Sequence, residues 1–441
     1  MNKQPRALYL LNIVSMWECF SYYGMRVLLL LFLIDDFGYT ESEALSLYAL
    51  YTTFVELGGI LGGFLADRYL GLQASIVLGG VTIAAGHLCL SQHALSSLCF
   101  LFGLGCIIIG TALFRSNVAA LVGSLYAKED SRRESGYTLY YAGINFGGLL
   151  ASVLCGVVAK YYGWSWGFGL AGIGMLLGLF CLYLGRRCLG ISSFFVKKCK
   201  MVILGLLSSA GVLAVLLHMG MVVTAILALC SIVYIRVKHK EILLQKCLLL
   251  RSIGGIILCL VIFYACEEQL GSSLLLFAEK YVNRGAIPTT SLQAINPLTI
   301  LCLGITLAMF VKRWKTYKKL SMSFFLLSCA FLLLAWQGSS LWVFMLAIVL
   351  LSLGELFMGP TAFALVAKQA PEGMQGLFMG ALMTGFSMAS FLGGVMSRMI
   401  VNERISLLAF EKGFYVIGCV ACFSAVGIWK MYRRKYARVM D

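Results

Sequence analysis

Seven ionisable residues lie inside segments of the sequence that are otherwise almost wholly apolar. They are five glutamates and two arginines, namely Glu18, Arg26, Glu56, Arg115, Glu267, Glu268 and Glu355. Charged groups at the depth of a bilayer are costly and by default mark function. Because burial disfavours the charged form of a carboxyl group, such glutamates can pick up and release protons. Charges of both signs also suit a zwitterionic ligand, since arginine attracts a carboxylate and glutamate attracts an ammonium group.

The composition indicates which elements must position these residues. The chain has 441 residues, of which 61% are hydrophobic and only 12% are charged, and this is too apolar for a surface that faces water. A bilayer core of about 30 Å needs roughly 20 apolar residues per helix. Fourteen stretches qualify, and the two shortest lie near residues 201–217 and 219–235. The sequence therefore predicts an all-α membrane protein with fourteen transmembrane helices.

The lysines and arginines behind the formal net charge of +16 lie mostly in the loops between apolar segments. This distribution argues against a nucleic acid as partner. The first outward loop is acidic, DDFGYTESE, whereas the inward segments include VKRWKTYKK and the tail KMYRRKYAR. This is the positive-inside bias of membrane proteins. It predicts an even number of spans with both termini in the cytoplasm and the lipid bilayer as the surrounding medium.

The sequence offers little support for metal or covalent chemistry. Its four histidines are scattered, and most of its sixteen cysteines lie inside apolar runs, where they act as small packing residues. No nucleophile with a base partner can be named, and no GxxxxGK[ST] loop for ATP is present. We therefore expect neither an enzyme nor a metal or other cofactor.

The order of apolar segments predicts three regions. Residues 1–185 form a six-helix bundle, residues 186–252 form a basic linker with two additional helices, and residues 253–441 form a second six-helix bundle with a basic tail. This plan is typical of major facilitator transporters, whose substrate site lies near the middle of the bilayer. At about 100° per residue, Ser15, Glu18, Cys19, Tyr22 and Arg26 share one face of the first helix.

Several motifs follow one another along nearly the whole chain. In the first half they are ECFSYYGMR (residues 18–26), GGFLADRYLG (62–71), GTALFRSNVAALVGSLY (110–126) and YYAGINFG (140–147). In the second half they are CEEQLGSSLLLF (266–277), INPL (295–298) and LGELFMGP (353–360). Together they resemble the proton-dependent oligopeptide transporters of the major facilitator superfamily. The first motif is similar to the family's ERFxYYG stretch, the second to its signature between helices 2 and 3, and the third and fourth to its second signature.

The resemblance implies roles for individual residues. Arg115 matches the basic residue that helps hold the peptide carboxylate, and Glu355 matches the glutamate that receives the peptide amino terminus. The remaining matches are the assisting asparagines Asn145 and Asn296, the site tyrosines Tyr22 and Tyr23, the outer-gate pair Arg26 and Glu268, the neighbouring acid Glu267, and Glu18, the retained acid of the ExxER motif tied to proton coupling.

The sequence also departs from the family pattern. Ser15 and Cys19 replace the first glutamate and the arginine of ExxER, Ser116 replaces a proline, and Leu382 stands where many members carry tryptophan. Glu56, expected to be buried on helix 2, has no secure family counterpart. We hypothesise that it replaces the lost acid of the first helix.

Together these features predict a secondary transporter that imports di- and tripeptides with protons by alternating access. An uncoupled facilitator, or a carrier of another small zwitterion or anion, is the alternative suggested by Ser15 and Cys19. A sensor that binds its ligand without moving it is a third reading. The two additional helices resemble those of bacterial members, so we expect the protein in the bacterial cytoplasmic membrane. We also expect it to be a monomer.

Overall fold

The computed structural model describes residues 4–92, 96–126, 132–189, 247–311, 314–369, 375–401 and 406–440. All regular secondary structure in these ranges is helical. The α-helices of the first half are α1 (Arg6–Asp35), α2 (Glu41–Leu65), α3 (Leu72–Ser91), α4 (Ser97–Ser124), α5 (Arg132–Tyr162) and α6 (Trp164–Leu184). Those of the second half are α7 (Cys247–Glu267), α8 (Ser273–Tyr281), α9 (Thr289–Leu292), α10 (Ile295–Phe310), α11 (Thr316–Gln337), α12 (Leu341–Gln369), α13 (Gln375–Ile400) and α14 (Leu407–Met440).

Two glycines allow the tight turns that separate neighbouring helices. Gly71 follows a π-helical turn at the end of α2 and has φ of 80°, and Gly163 lies between α5 and α6 with φ of 95°. Positive φ values of this kind are accessible to glycine without the steric cost that a Cβ atom adds. The turns therefore reverse the chain within a few residues, so that long helices follow one another directly.

One compact unit contains α1, α2 from Phe54 onward, α3 to α6, and the segment Thr290–Pro297. Within it α3 packs against α4 and α6, and α1 packs against α5 and α6. Glycines allow the helix backbones to approach closely, as is common between membrane helices. A Cβ atom added to Gly79 would lie 2.6 Å from the carbonyl oxygen of Gly110, and one added to Gly110 would lie 2.7 Å from that of Gly79.

The second compact unit contains Gly38–Thr53 at the beginning of α2, the segment from α7 to Thr289, and the chain from Leu298 onward. Here α7 packs against α12 and α13, and α11 packs against α12 and α14. The helix that begins with α7 is interrupted by a 3-10 turn, Glu268–Gly271, and continues as α8. Counted as one of the six predicted helices of the second half, this segment is divided in two in the structure.

Ten segments of the described ranges are long and apolar enough to cross a membrane, counting α7 and α8 together as one. With α10 and α13 added, the described ranges contain six long helical segments before residue 190 and six after residue 246. The two additional helices fall in residues 190–246, outside the described residues, so the count of fourteen stays a prediction. The three-region division also stays a prediction, although α6 ends at Leu184, beside the expected boundary at residue 185.

Candidate functional site

An ion-pair cluster surrounds Arg115 in the first unit. Arg115 Nη2 donates to Glu18 Oε1 at 3.1 Å, and its Nη1 lies 3.9 Å from Glu56 Oε1. The guanidinium carbon also stands 4.3 Å from the centre of the Tyr22 ring. Three helices therefore meet at one cation: α1 through Glu18 and Tyr22, α2 through Glu56, and α4 through Arg115.

The members of this cluster differ in exposure. The Glu18 side chain is only 3% exposed, whereas those of Arg115 and Glu56 are 30% and 32% exposed. The second oxygen of Glu18 accepts a hydrogen bond from Cys19 Sγ at 3.4 Å. The expectation of a buried Glu56 is therefore wrong, because about a third of its side chain remains accessible beside the arginine.

Close approach between helices explains why these side chains meet. A Cβ atom on Gly62 would lie 2.0 Å from the carbonyl oxygen of Ala112, and one on Gly58 would lie 2.9 Å from the Ala112 side chain. These two glycines of α2 are one helical turn apart and fit against α4 one turn before Arg115. Asn117 adds a hydrogen bond of 3.3 Å from its side-chain nitrogen to the carbonyl oxygen of Gly62.

The other predicted residues of α1 and α5 lie in the same compact unit. Tyr23 makes an edge-to-face contact with Tyr22, with ring centres 5.2 Å apart, and packs against Gly148 of α5. Arg26 follows one turn later on α1 and is partly buried. Asn145 is 8% exposed, and its side-chain nitrogen donates to the carbonyl oxygen of Tyr141 at 2.9 Å.

The remaining predicted residues lie on other helices. Asn296 and Pro297 are in the first turn of α10, where the missing N–H of proline is not needed for helix bonding. Glu355 is partly buried in the middle of α12, five positions before Pro360. Glu267 ends α7, and Glu268 begins the 3-10 turn, where its Oε1 accepts a hydrogen bond from Ser390 of α13 at 3.0 Å.

The sequence reading missed a buried polar network next to Glu268. The amide nitrogen of Gln269 donates to the carbonyl oxygens of Ala265 and Gly393 at 3.1 and 3.0 Å. Its oxygen accepts from Ser273 and Ser397 at 2.7 and 2.8 Å. Gln269 is wholly buried, and its side-chain amide makes all four of these hydrogen bonds. The amide therefore links α13 to α7 on one side of the interruption and to α8 on the other. The signal available in the sequence was a polar run, EEQLGSS, inside an apolar segment.

The structure shows what surrounds two of the residues that depart from the family pattern, Ser116 and Leu382. Ser116, which replaces a proline, donates its hydroxyl to the carbonyl oxygen of Ala112 at 3.0 Å, so α4 runs through this point without interruption. Leu382 is wholly buried in an apolar cluster with Ile256 and Leu260 of α7 and Ala362 of α12. In the part of the chain that the structure describes, no group of three or more His, Cys, Asp or Glu residues is arranged to hold a metal ion.

Comparison with known proteins extends this description. The profile of the POT family matches residues 73–412. Dipeptide and tripeptide permease A of Yersinia pestis is 30% identical, with 99% of this chain and 94% of the permease covered. The uncharacterized transporter YclF of Bacillus subtilis strain 168 is 31% identical over 83% of this chain and 82% of its own length. A crystal structure of the peptide transporter POT in complex with sulfate is 26% identical with a TM-score of 0.84, and covers 98% of this chain and 95% of that one.

These findings place the chain among integral membrane transporters with the major facilitator fold, which confirms the predicted fold class. The chain belongs to the POT family. The predicted resemblance is thereby confirmed. As a member of a transporter family the protein is a carrier and not an enzyme, as its sequence indicates.

Proposed function

We propose that this protein imports di- and tripeptides together with protons, by alternating access, across the bacterial cytoplasmic membrane with both termini inside. The observation that carries the proposal is the partly exposed Arg115, anchored by the buried carboxylate of Glu18 in a chain whose relatives include a dipeptide and tripeptide permease. Transport of this kind requires binding and conformational change and no covalent step. We expect the transporter to act as a monomer.

We assign to Arg115 the binding of the peptide's carboxylate group. Guanidinium offers five N–H donors in a planar fork, and the bond to Glu18 uses one of them. The Tyr22 ring supports one side of the guanidinium plane, and cation–π contacts of this kind are favourable in partly desolvated sites. The cation is therefore held in a fixed position while part of it remains accessible to a ligand.

The remaining predicted residues are assigned by their chemistry. Glu355 attracts the peptide ammonium group, Asn145 and Asn296 offer amide groups to the peptide, and Tyr23 lines the site beside Tyr22. Glu267 and Glu268 are the carboxyl groups of the interrupted helix, and Arg26 with Glu268 is proposed to contribute to the outer gate. Protonation of a carboxylate weakens its ion pair and thereby shifts the balance between conformations, as linkage requires.

The proposal is tested by uptake of a labelled dipeptide into proteoliposomes that contain the purified protein. We expect accumulation above equilibrium with an inward proton gradient, and only equilibration without it. Unlabelled tripeptides should compete, whereas free amino acids should not. Arg115→Gln is expected to abolish uptake, with Lys412→Gln on α14 as the matched control. Peptide uptake that never exceeds equilibrium would indicate an uncoupled facilitator, and absence of peptide uptake would refute the proposed substrate.

A further inference from the structure

Arg115 is shared by two carboxylates that come from different helices. Glu18 of α1 forms a hydrogen-bonded ion pair at 3.1 Å, and Glu56 of α2 forms a longer ion pair at 3.9 Å. The titratable groups that interact with this guanidinium are Glu18, Cys19, Tyr22 and Tyr23 from α1, Glu56 from α2 and Tyr140 from α5. When both glutamates are ionised, the guanidinium therefore carries one positive charge against two negative charges.

The two carboxylates are held to different degrees. Both oxygens of Glu18 have donors, Arg115 for one and the Cys19 thiol for the other, and the side chain is almost wholly buried. Glu56 is about ten times as exposed, and its nearest oxygen lies 0.8 Å farther from the guanidinium than that of Glu18. Of the two, Glu56 is the carboxylate that water reaches and that can leave Arg115 at lower cost.

A ligand carboxylate that approaches Arg115 meets this second negative charge. Three carboxylates around one guanidinium repel one another, and like charges in close contact favour protonation of one group. Glu56 lies beside Nη1, the nitrogen that does not donate to Glu18. An incoming carboxylate and an ionised Glu56 therefore compete for the same side of the cation.

We propose that Glu56 is a displaceable counterion of Arg115, which must take up a proton before the carboxylate of a substrate can bind there. This inference rests on the proposed function, and it names Glu56 as the residue at which proton binding is coupled to substrate binding. Ionised Glu56 occupies the arginine when the substrate is absent. Neutral Glu56 releases it, so that substrate binding draws one proton into the site, and linkage makes the effect reciprocal.

The test is the dissociation constant of a dipeptide for the purified protein, measured between about pH 5 and about pH 7 so that the peptide ammonium group stays charged. If one proton must bind first, the wild-type dissociation constant rises by up to about tenfold per pH unit as pH rises. Glu56→Gln cannot ionise, so its dissociation constant should stay constant and match the low-pH value of the wild type. Glu56→Asp, which retains the carboxyl group, should retain the slope.

The matched control is Glu411→Gln, which removes a carboxyl group from α14, outside this cluster, and should retain the wild-type slope. Should Glu56→Gln not yield monodisperse protein, Glu56→Ser serves the same purpose, because it also lacks a titratable group. A wild-type slope retained in Glu56→Gln would overturn the inference, as would a wild-type affinity that does not change with pH. Both results leave peptide binding itself intact, whereas a wild-type protein that binds no dipeptide at any pH would refute the proposed function together with this inference.

Discussion

Substitution of Gly62 by alanine tests whether close packing of α2 on α4 holds Glu56 beside Arg115. The added methyl carbon would lie 2.0 Å from the carbonyl oxygen of Ala112 and 2.4 Å from its carbonyl carbon. These are backbone atoms, so no side chain can rotate away, and the two helices must separate. The neighbouring Gly63 is the matched control, since a Cβ atom there has nothing within 4 Å.

The magnitude follows from two opposing contributions. Replacement of glycine by alanine inside a helix gains about 1 kcal/mol from helix propensity, and overpacking costs about 2 to 3 kcal/mol where neighbours cannot relax. We therefore expect Gly62→Ala to lose about 1 to 2 kcal/mol of stability and Gly63→Ala to gain about 1 kcal/mol. The two variants should thus differ by about 2 to 3 kcal/mol, although they are adjacent on one helix.

Thermal unfolding of the detergent-purified variants, compared at one scan rate because such unfolding is commonly irreversible, measures this difference. Gly62→Ala should unfold at a lower temperature than wild type, and Gly63→Ala at an equal or higher one. The change of dipeptide affinity with pH should also weaken in Gly62→Ala, since Glu56 moves away from Arg115. Equal unfolding temperatures for the two variants would refute the packing argument.

Three further predictions concern single side chains. Arg115→Gln leaves the buried Glu18 without its cation and should lower the free energy of unfolding by about 3 to 5 kcal/mol. Adding Glu18→Gln should recover part of the lost unfolding temperature. A double variant less stable than Arg115→Gln alone would contradict this. Gln269→Ala should cost about 1 to 3 kcal/mol, because it removes the partner of buried hydroxyl groups, whereas the exposed Gln337→Ala should match wild type. His87 is wholly buried, and its Nε2 lies 2.7 Å from Ser21 Oγ. His87→Asn should therefore lower the unfolding temperature but leave the change of dipeptide affinity with pH as in wild type. If that pH dependence is lost, the proton that is linked to dipeptide binding belongs to this histidine.

The sequence predicted the helices well because each apolar run is long enough to span a bilayer. Glu18 and Tyr22, which the sequence places on one side of α1, both contact Arg115, because helical periodicity determines which residues share a face. Interruptions were harder to predict. The break after α7 contains no proline, and the Gln269 network that accompanies it depends on Ser397 of α13, which lies 128 positions away from Gln269.

The contact between Glu56 and Arg115 shows the second limit of sequence reasoning. Both residues are conspicuous charges in apolar segments, but their 3.9 Å separation depends on two glycines that let α2 approach α4. Periodicity indicates which face of a helix is polar and does not give the distance between two helices. The exposure of Glu56 follows from the same packing, which is why burial was the wrong expectation.

Proton movement driven by a peptide gradient tests the central claim most directly. Proteoliposomes that contain the protein and a trapped pH-sensitive dye, with the membrane potential clamped and no initial pH difference, receive a dipeptide on the outside. Coupled import predicts that the interior acidifies as the peptide enters, and that Arg115→Gln vesicles show neither change. Entry of the labelled dipeptide with no change of internal pH would contradict proton coupling.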